Sequence, residues 1–243
     1  MLQYQRQRRK DPQLPRIANF DDLDPLAAEP DVDLRLISRG NPIPADADVI
    51  ILVGSKATID DLADLRREGW DIDIAAHIRR GGHVLGLCGG YQMLGQKISD
   101  PNGIEGAPRT VDGLGHLEVD TVLGEIKELA LRRGTHIQSG TDVNGYEIHM
   151  GQTSGPDQTR GWLDMGDGPS GAMSTNGRIS GTYLHGIFSS DDFRRAFLAS
   201  FGTTSNLAYD AMLEQTLDDL ADHLEKYLDV DLIWKLAGEI SPV

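Results

Sequence analysis

The only cysteine of the 243-residue chain, Cys88, lies at a glycine-framed corner in the segment GLCGGYQML. A hydrophobic run, residues 83–88, ends there, and a short helical pattern follows. G-x-C-x-G is the cysteine form of the nucleophile elbow, in which a sharp turn from strand to helix exposes a reactive side chain. The helix N-terminus favours a thiolate, and the N–H of Gly89 is placed to hold an oxyanion. The pattern indicates a thiol nucleophile, with an inert buried cysteine as the alternative.

A thiolate nucleophile needs a proton shuttle, which is normally a histidine. Of the seven histidines, two have informative neighbours: His185 in GTYLHGIF and His149 in GYEIHMG. Gln92 lies four residues beyond Cys88, one helical turn away on the same face, and is a candidate for binding a substrate held at the thiol. His, Cys, Asp and Glu residues are nowhere spaced like the ligands of a metal ion, so we expect no metal site.

The elements that position these residues follow an α/β pattern. Three short aliphatic runs predict buried strands, at residues 32–37, 48–54 and 83–88. Between the second and third runs, apolar residues at helical spacing predict a helix that ends at a glycine pair, residues 81–82. This order predicts parallel strands with helices on both faces of the sheet. Sites in such sheets gather at the carboxyl ends of the strands, where Cys88 lies.

The remaining chain predicts two further regions. Residues of about 100–182 are richer in Gly, Asp and Thr, and they predict β-hairpins and loops, with YEIHMG and RISGTYLHGIF as strands. From residue 191 onward the pattern predicts helices. We therefore assign residues 1–13 to a basic N-terminal extension and residues 14–243 to one α/β domain, whose part from 191 to 243 is helical.

Composition excludes several classes of protein. The formal net charge of −15 argues against a nucleic-acid partner, because phosphate contacts need clustered Lys and Arg. No apolar run approaches the length of a membrane span, and the polar N-terminus lacks the apolar centre of a signal peptide. One cysteine cannot form an internal disulfide and suits a reducing compartment. We expect a cytoplasmic protein with no membrane or nucleic-acid partner.

Five segments resemble one known family. In order along the chain, GLCGGYQMLG, GYEIHMGQT and GTYLHGIF resemble the cobalamin-type branch of the class I glutamine amidotransferases, and within it the amidotransferase domains of cobyric acid synthases. Upstream, LPRIANFDDLDPL and VGSKATIDDLADLR resemble segments that separate these domains from cobyrinic acid a,c-diamide synthases. The resemblance spans residues of about 14–200. It implies a flavodoxin-like class I glutamine amidotransferase fold, with a mostly parallel central sheet, helices on both faces and a nucleophile elbow.

The resemblance also implies roles for individual residues. Cys88 would attack the side-chain amide of L-glutamine, giving a γ-glutamyl thioester and ammonia. His185 would serve as general base and acid. Gly54 and Ser55 would complete an oxyanion hole with Gly89.

The same resemblance implies a set of substrate-binding residues. Gln92 would help to hold the glutamine. Tyr146, Glu147 and His149 match the YEIH motif of the family, so we expect them at the substrate-binding site.

Three positions depart from the usual amidotransferase pattern. Most class I enzymes carry a glutamate two residues after the catalytic histidine, whereas this chain has Ile187, as the cobalamin-type branch does. His185 thus lacks the usual carboxylate, which predicts a weaker or partner-dependent glutaminase. Val53 and Ala57 replace the usual Pro and Asn, so we expect a softer turn and the loss of a local cap.

Whole cobyric acid synthases also contain an ATP-dependent synthetase domain with a phosphate-binding loop. This chain contains no G-x-x-x-x-G-K-[ST] segment. We therefore expect a C-terminal half that supplies ammonia to a synthetase domain or subunit, for the amidation of adenosylcobyrinic acid a,c-diamide. ATP and Mg²⁺ belong to that other domain, and we expect no cofactor in this chain.

Two alternatives remain at the level of sequence. A related glutaminase subunit feeds a ligase that amidates the peptidoglycan precursor lipid II, and it also uses a Cys–His pair in a separate chain. A non-catalytic docking module for the synthetase is the other alternative. The segments SKATIDDL and YEIHMGQT favour the corrinoid enzyme.

Overall fold

The computed structural model describes residues 18–237 of the chain, without the side chains of Phe20 and of residues 125–128. The basic extension of residues 1–13 and the start of the LPRIANFDDLDPL segment lie outside the described residues. The chain divides into two compact units between Ser205 and Asn206. The interval that the sequence assigns to one domain therefore contains both units.

The first unit contains both α-helices and β-strands. Its α-helices are α1 (Asp24–Ala27), α2 (Thr58–Arg67), α3 (Trp70–Arg79), α4 (Gly89–Leu94) and α5 (Asp191–Ala199). Its first six strands are β1 (Val49–Leu52), β2 (His83–Leu87), β3 (Lys97–Asp100), β4 (Arg109–Asp112), β5 (Asp120–His136) and β6 (Asp142–Ser154). The remaining strands are β7 (Leu163–Asp164), β8 (Pro169–Ser170), β9 (Ala172–Met173), β10 (Ile179–Thr182) and β11 (Leu184–His185). Short 3-10 helices cover Phe20–Leu23, Pro156–Arg160 and Ile187–Ser189.

A four-stranded sheet in the order β1-β2-β10-β9 leads into Cys88 at the end of β2. Strands β1, β2 and β10 are parallel, and β9 is an antiparallel edge. Alternate residues of a strand point to opposite faces. Ile50 and Leu52 therefore join a core with α2, α3 and α4, whereas Ile51 and Leu85 join a second core with α1 and α5. This confirms the predicted parallel strands with helices on both faces.

A second, mixed sheet in the order β11-β6-β5-β3-β4 carries the histidine. Its centre is the long antiparallel hairpin of β5 and β6, which confirms the hairpins predicted for the middle of the chain. The chain leaves the first sheet at Thr182 and joins the second at Leu184, where β11 pairs with β6. The N–H of Cys88 bonds the carbonyl of Thr182 at 2.9 Å. The two sheets therefore meet beside the cysteine.

Two sequence predictions are wrong. Residues 32–37 do not form a strand, although their exposure alternates along the segment. Alternating exposure shows only that one face of the segment is buried, whereas a β-strand also needs a neighbouring strand that pairs with it in register. The single helix expected after residue 57 is two helices, α2 and α3, because Gly69 adopts a left-handed conformation with φ of 77°. The apolar spacing runs across this break because both helices pack on the same core.

Helices follow residue 191, as predicted. Helix α5 closes the first unit against the sheet, and its Phe193 and Leu198 are buried. The second unit contains α6 (Tyr209–Tyr227) and α7 (Val230–Ala237), and neither helix has a buried residue.

Candidate active site

Cys88 stands at a strained turn at the carboxyl end of β2, directly before α4. Its φ of 51° and ψ of −109° lie outside the conformations that residues with a side chain usually adopt. Such strain costs about 1–3 kcal/mol and is concentrated at functional sites. The cysteine is half-buried, and its Sγ lies 3.6 Å from the carbonyl oxygen of Ile148. This geometry is that of the predicted nucleophile elbow.

The glycines around Cys88 allow close packing of the elbow. A Cβ atom at Gly90 would lie 1.9 Å from the carbonyl oxygen of Leu52, and a Cβ at Gly86 would lie 2.6 Å from the nitrogen of Tyr91. The positive φ of the turn is carried by the cysteine itself. The flanking glycines therefore let strand and helix approach each other, while Cys88 takes the strained conformation.

His185 lies beside this thiol and is held by a carboxylate. Its Nδ1 is 2.7 Å from Oδ2 of Asp22, and both side chains are only 1% exposed. The other oxygen of Asp22, Oδ1, accepts the N–H of Gly186 at 2.7 Å. The carboxylate therefore fixes both the ring and the backbone that follows it. With Nδ1 engaged, Nε2 is the ring nitrogen available to the thiol.

Asp22 and Cys88 also determine the direction in which the pKa of His185 is shifted. Burial lowers this pKa, but the hydrogen bond with Asp22 and the interaction with Cys88 outweigh it and raise the pKa to about 10. The raised pKa favours the protonated imidazole at neutral pH. An imidazolium beside a thiol is the arrangement that stabilises a thiolate nucleophile.

Sequence reasoning missed Asp22. The absence of a glutamate at Ile187 suggested that no carboxylate orients His185, and the structure shows that Asp22 does so. Asp22 belongs to the 3-10 helix Phe20–Leu23, in the segment ANFDDLDPL. The pair of adjacent acids in this segment was the available signal, but nothing in the sequence links it to a histidine 163 positions away.

The loop after β1 lies against His185 and the start of α4. A Cβ on Gly54 would lie 3.4 Å from Cε1 of His185, and a Cβ on Gly89 would lie 2.9 Å from the backbone nitrogen of Ser55. The backbones of Ser55 and Gly89 are thus adjacent at the elbow. The Ser55 hydroxyl bonds Asp61 at 2.6 Å, which holds the loop on α2. An oxyanion role for Gly54, Ser55 and Gly89 stays a prediction.

The structure compensates for Ala57, one of the two unusual residues of this loop, and buries the other, Val53. Ala57 is the N-cap of α2 and supplies no side-chain cap. The carboxylate of Glu105 instead accepts the N–H of Ile59 at 2.9 Å, so a residue distant in sequence caps the helix. Val53 is buried in the core shared with α5.

Gln92 is placed among protein partners. Its Nε2 donates to the carbonyl of Met150 and to the Tyr183 hydroxyl, both at 3.2 Å. Its Oε1 accepts from the Thr58 hydroxyl, also at 3.2 Å. These bonds tie α4 to α2 and β6. A direct contact of Gln92 with glutamine stays a prediction.

The YEIH motif divides between two environments. Tyr146 lies opposite His185 in the antiparallel register, and the two rings stack with centroids 5.3 Å apart. Glu147 pairs with Arg132 across the hairpin, with 3.6 Å between the charged atoms. His149 stacks on Tyr183 at 3.8 Å. Tyr146 thus contacts the His185 imidazole, and substrate binding by all three residues stays a prediction.

The described residues offer neither a metal-binding cluster nor a membrane-spanning helix. Residues 18–237 contain no group of three or more His, Cys, Asp or Glu side chains that could hold a metal ion. Among the same residues, no helix is both long and apolar enough to span a bilayer.

Known proteins resemble this chain in sequence. Residues 11–193 match the family described as the CobB/CobQ-like glutamine amidotransferase domain. A cobyric acid synthase from Ruegeria sp. (strain TM1040) is 56% identical over 229 residues, which are 94% of this chain and 48% of that protein. One from Methylobacterium nodulans is 55% identical over 229 residues, 93% of this chain and 47% of that protein. The chain spans about half the length of the curated relatives it matches.

Solved structures resemble it in fold. A crystal structure of a glutamine amidotransferase superposes with a TM-score of 0.50 at 17% identity, covering 75% of this chain and 92% of that chain. The structure of PurLQS from Thermotoga maritima gives a TM-score of 0.52 at 17% identity, covering 70% and 83%. This likeness confirms the predicted fold class.

Proposed function

The chain belongs to the family of CobB/CobQ-like glutamine amidotransferase domains, and we propose that it hydrolyses L-glutamine to glutamate and ammonia at Cys88. The observation that carries this proposal is the assembly of a strained cysteine, a buried histidine and a buried aspartate in one site. A docking module has no need of a strained elbow or of a buried, charged histidine.

The first half of the reaction forms a thioester. The Cys88 thiolate attacks the side-chain carbonyl carbon of glutamine, and the negative charge moves to the carbonyl oxygen, beside the backbone N–H groups of Gly89 and Ser55. The carbon–nitrogen bond then breaks, and protonated His185 gives its proton to the leaving nitrogen. The raised pKa of His185 supports this step, because the proton is already in place at neutral pH.

The second half releases glutamate. His185, now neutral, takes a proton from water, and the resulting hydroxide attacks the thioester carbon. The carbon–sulfur bond breaks, which regenerates the thiolate and the imidazolium. Asp22 holds Nδ1 throughout, so that Nε2 faces the reacting atoms.

The ammonia serves a synthetase. The similarity to cobyric acid synthases over about half of their length supports a role in ATP-dependent amidation of adenosylcobyrinic acid a,c-diamide to cobyric acid. In this proposal the remaining half of such a protein, as a domain or a subunit, binds ATP, Mg²⁺ and the corrinoid, and this chain needs no cofactor. A cytoplasmic location suits its single reduced cysteine.

A glutaminase assay tests the proposal. Wild-type protein is expected to release glutamate from glutamine, and Cys88→Ser is expected to lose activity by at least about 1,000-fold, because the nucleophile is gone. His185→Ala is expected to lose far more activity than His149→Ala. Equal rates for wild type and Cys88→Ser would contradict the proposal, and equal losses at the two histidines would mean that the base is misassigned.

A further inference from the structure

Asn19 occupies an unusual position immediately before the helix that carries Asp22. Its φ of 55° and ψ of 46° are left-handed, a conformation that asparagine tolerates better than most residues with a side chain. Its Nδ2 donates to the hydroxyl oxygen of Tyr146 at 2.6 Å. The preceding residue is fixed too, since the N–H of Ala18 bonds the carbonyl of Gly54 at 2.9 Å. The segment thus lies between the predicted oxyanion loop and the catalytic histidine.

Tyr146 transmits this contact to the imidazole. Its ring lies nearly parallel to that of His185, with 20° between the planes and 5.3 Å between the centroids. Burial raises the pKa of Tyr146, the bond from Asn19 lowers it, and Asp21, Asp22 and Cys88 raise it further. These neighbours place the phenol at the edge of the reaction site.

The two contacts of His185 restrict different motions. A hydrogen bond at Nδ1 fixes one atom of the ring, but it leaves the ring free to tilt about that atom. A parallel aromatic ring limits this tilt, provided that the aromatic ring is itself held. In this site the bond from Asn19 holds the free end of Tyr146, and β6 holds the other end.

We propose that Asn19 is a positioning residue of the glutaminase reaction, which acts through the Tyr146 hydroxyl to set the tilt of the His185 imidazole. The inference rests on the proposed function. One short segment then supplies both constraints, because Asp22 holds the ring nitrogen and Asn19 holds the ring's aromatic neighbour. Small displacements of a catalytic group lower activity even where substrate binding is intact. Loss of the Asn19 contact is therefore expected to lower kcat and to leave KM nearly unchanged.

Three variants test the inference. Asn19→Gly keeps a residue that favours the left-handed backbone but removes the amide, and Tyr146→Phe keeps the ring but removes the hydroxyl. Loss of one hydrogen bond of this kind is expected to lower kcat about 5- to 10-fold in each variant, with KM within about two-fold of wild type. The double variant is expected to lose no more than either single variant, because both changes break the same bond.

Labelling of Cys88 by a chloroketone analogue of glutamine gives a second readout that needs no turnover. Its rate is expected to fall in the same order as kcat. Wild-type kcat in Asn19→Gly, a raised KM at unchanged kcat, or losses that multiply in the double variant would each overturn the inference.

If wild type and Cys88→Ser release glutamate at equal rates, the proposed function itself fails. If they differ as expected while Asn19→Gly matches wild type, only the role of Asn19 fails.

Discussion

At the scale of single residues, Asp22 uses its two oxygens for two tasks. One oxygen bonds Nδ1 of His185, and the other accepts the N–H of Gly186, both at 2.7 Å. A buried carboxylate with both oxygens bonded is rigid, and its negative charge stabilises the imidazolium. The position of His185 therefore depends on a residue near the start of the described chain.

Replacement of Asp22 tests this dependence. Asp22→Asn is expected to lower kcat by about 10²–10⁴-fold, because the amide no longer fixes the productive tautomer or stabilises the charged ring. Asp21→Asn is the matched control, since Asp21 is the adjacent acid and is exposed. Steady-state glutamate release measures both. Similar losses in the two variants would mean that net charge near the site matters, and not the bond to His185.

The protonation of His185 can be measured directly. NMR titration of the imidazole is expected to give a pKa of about 10 in wild type and a value nearer the ordinary range of about 6.5 in Asp22→Asn. A wild-type value near 6.5 would contradict the proposed imidazolium.

The same shift makes stability depend on pH. A histidine pKa that folding raises stabilises the native state fully below the unfolded value of about 6.5. That contribution is lost as pH rises towards 10, the folded value. In urea unfolding, the stability difference between wild type and Asp22→Asn is therefore expected to shrink between pH 6.5 and 10. A difference that grows over this interval would contradict the raised pKa.

At the scale of elements, the elbow depends on the close contact of β1 with α4. A Cβ at Gly90 would lie 1.9 Å from the carbonyl oxygen of Leu52, which is backbone and cannot rotate away. Gly90→Ala is therefore expected to cost about 1–3 kcal/mol in the free energy of unfolding. Gly124→Ala is the control, because its nearest neighbour would be 3.9 Å away. Urea unfolding of both variants measures the difference, and equal stability would contradict tight packing at the elbow.

Sequence patterns predicted the elements whose signal is local. The glycine-framed cysteine, the aliphatic run of β2 and the amphipathic α5 each carry their own pattern within a few residues, and each lies where it was predicted. The break at Gly69 was missed because apolar spacing reports burial, and α2 and α3 bury residues in the same core. Residues 32–37 were wrongly predicted as a strand for a related reason. An alternating hydrophobic pattern indicates one buried face, but it does not show that a neighbouring strand is available for pairing.

Contacts between distant segments were not predictable in the same way. Asp22 and His185 are 163 positions apart, and Glu105 caps α2 from 46 positions away. A single sequence does not indicate which acid pairs with which histidine. Such pairs form only in the tertiary fold and leave no local pattern in the sequence. Cys88 and His185 could nevertheless be singled out as candidates, since each lies in its own glycine-framed motif.

At the scale of the whole first unit, a buried arginine joins its two ends. Arg194 in α5 is fully buried, and its Nε lies 2.6 Å from Oε1 of Glu29. The Ser205 hydroxyl donates to the same oxygen at 2.6 Å. The segment after Asp22 is thereby fixed to the last helix of the unit.

Loss of this arginine is expected to destabilise the unit. Arg194→Leu leaves the Glu29 carboxylate buried without its main partner, which costs about 3–5 kcal/mol. Arg195→Leu is the control, because the neighbouring guanidinium is exposed and its pair with Asp192 contributes about 0–1 kcal/mol. Its hydrogen bond to the Ser205 carbonyl at 3.2 Å contributes about 0.5–1.5 kcal/mol more. Thermal or urea unfolding compares them. Equal losses would show that Arg194 contributes no more than a surface charge.

The most direct test of the whole account is covalent labelling by a chloroketone analogue of glutamine, followed by peptide mass spectrometry. Cys88 is the only cysteine, so a label on any other residue cannot come from a thiol. The account predicts one label on the peptide that contains Cys88, protection by excess glutamine, and no label in Cys88→Ala. Labelling that persists in Cys88→Ala, or that glutamine does not prevent, would contradict it.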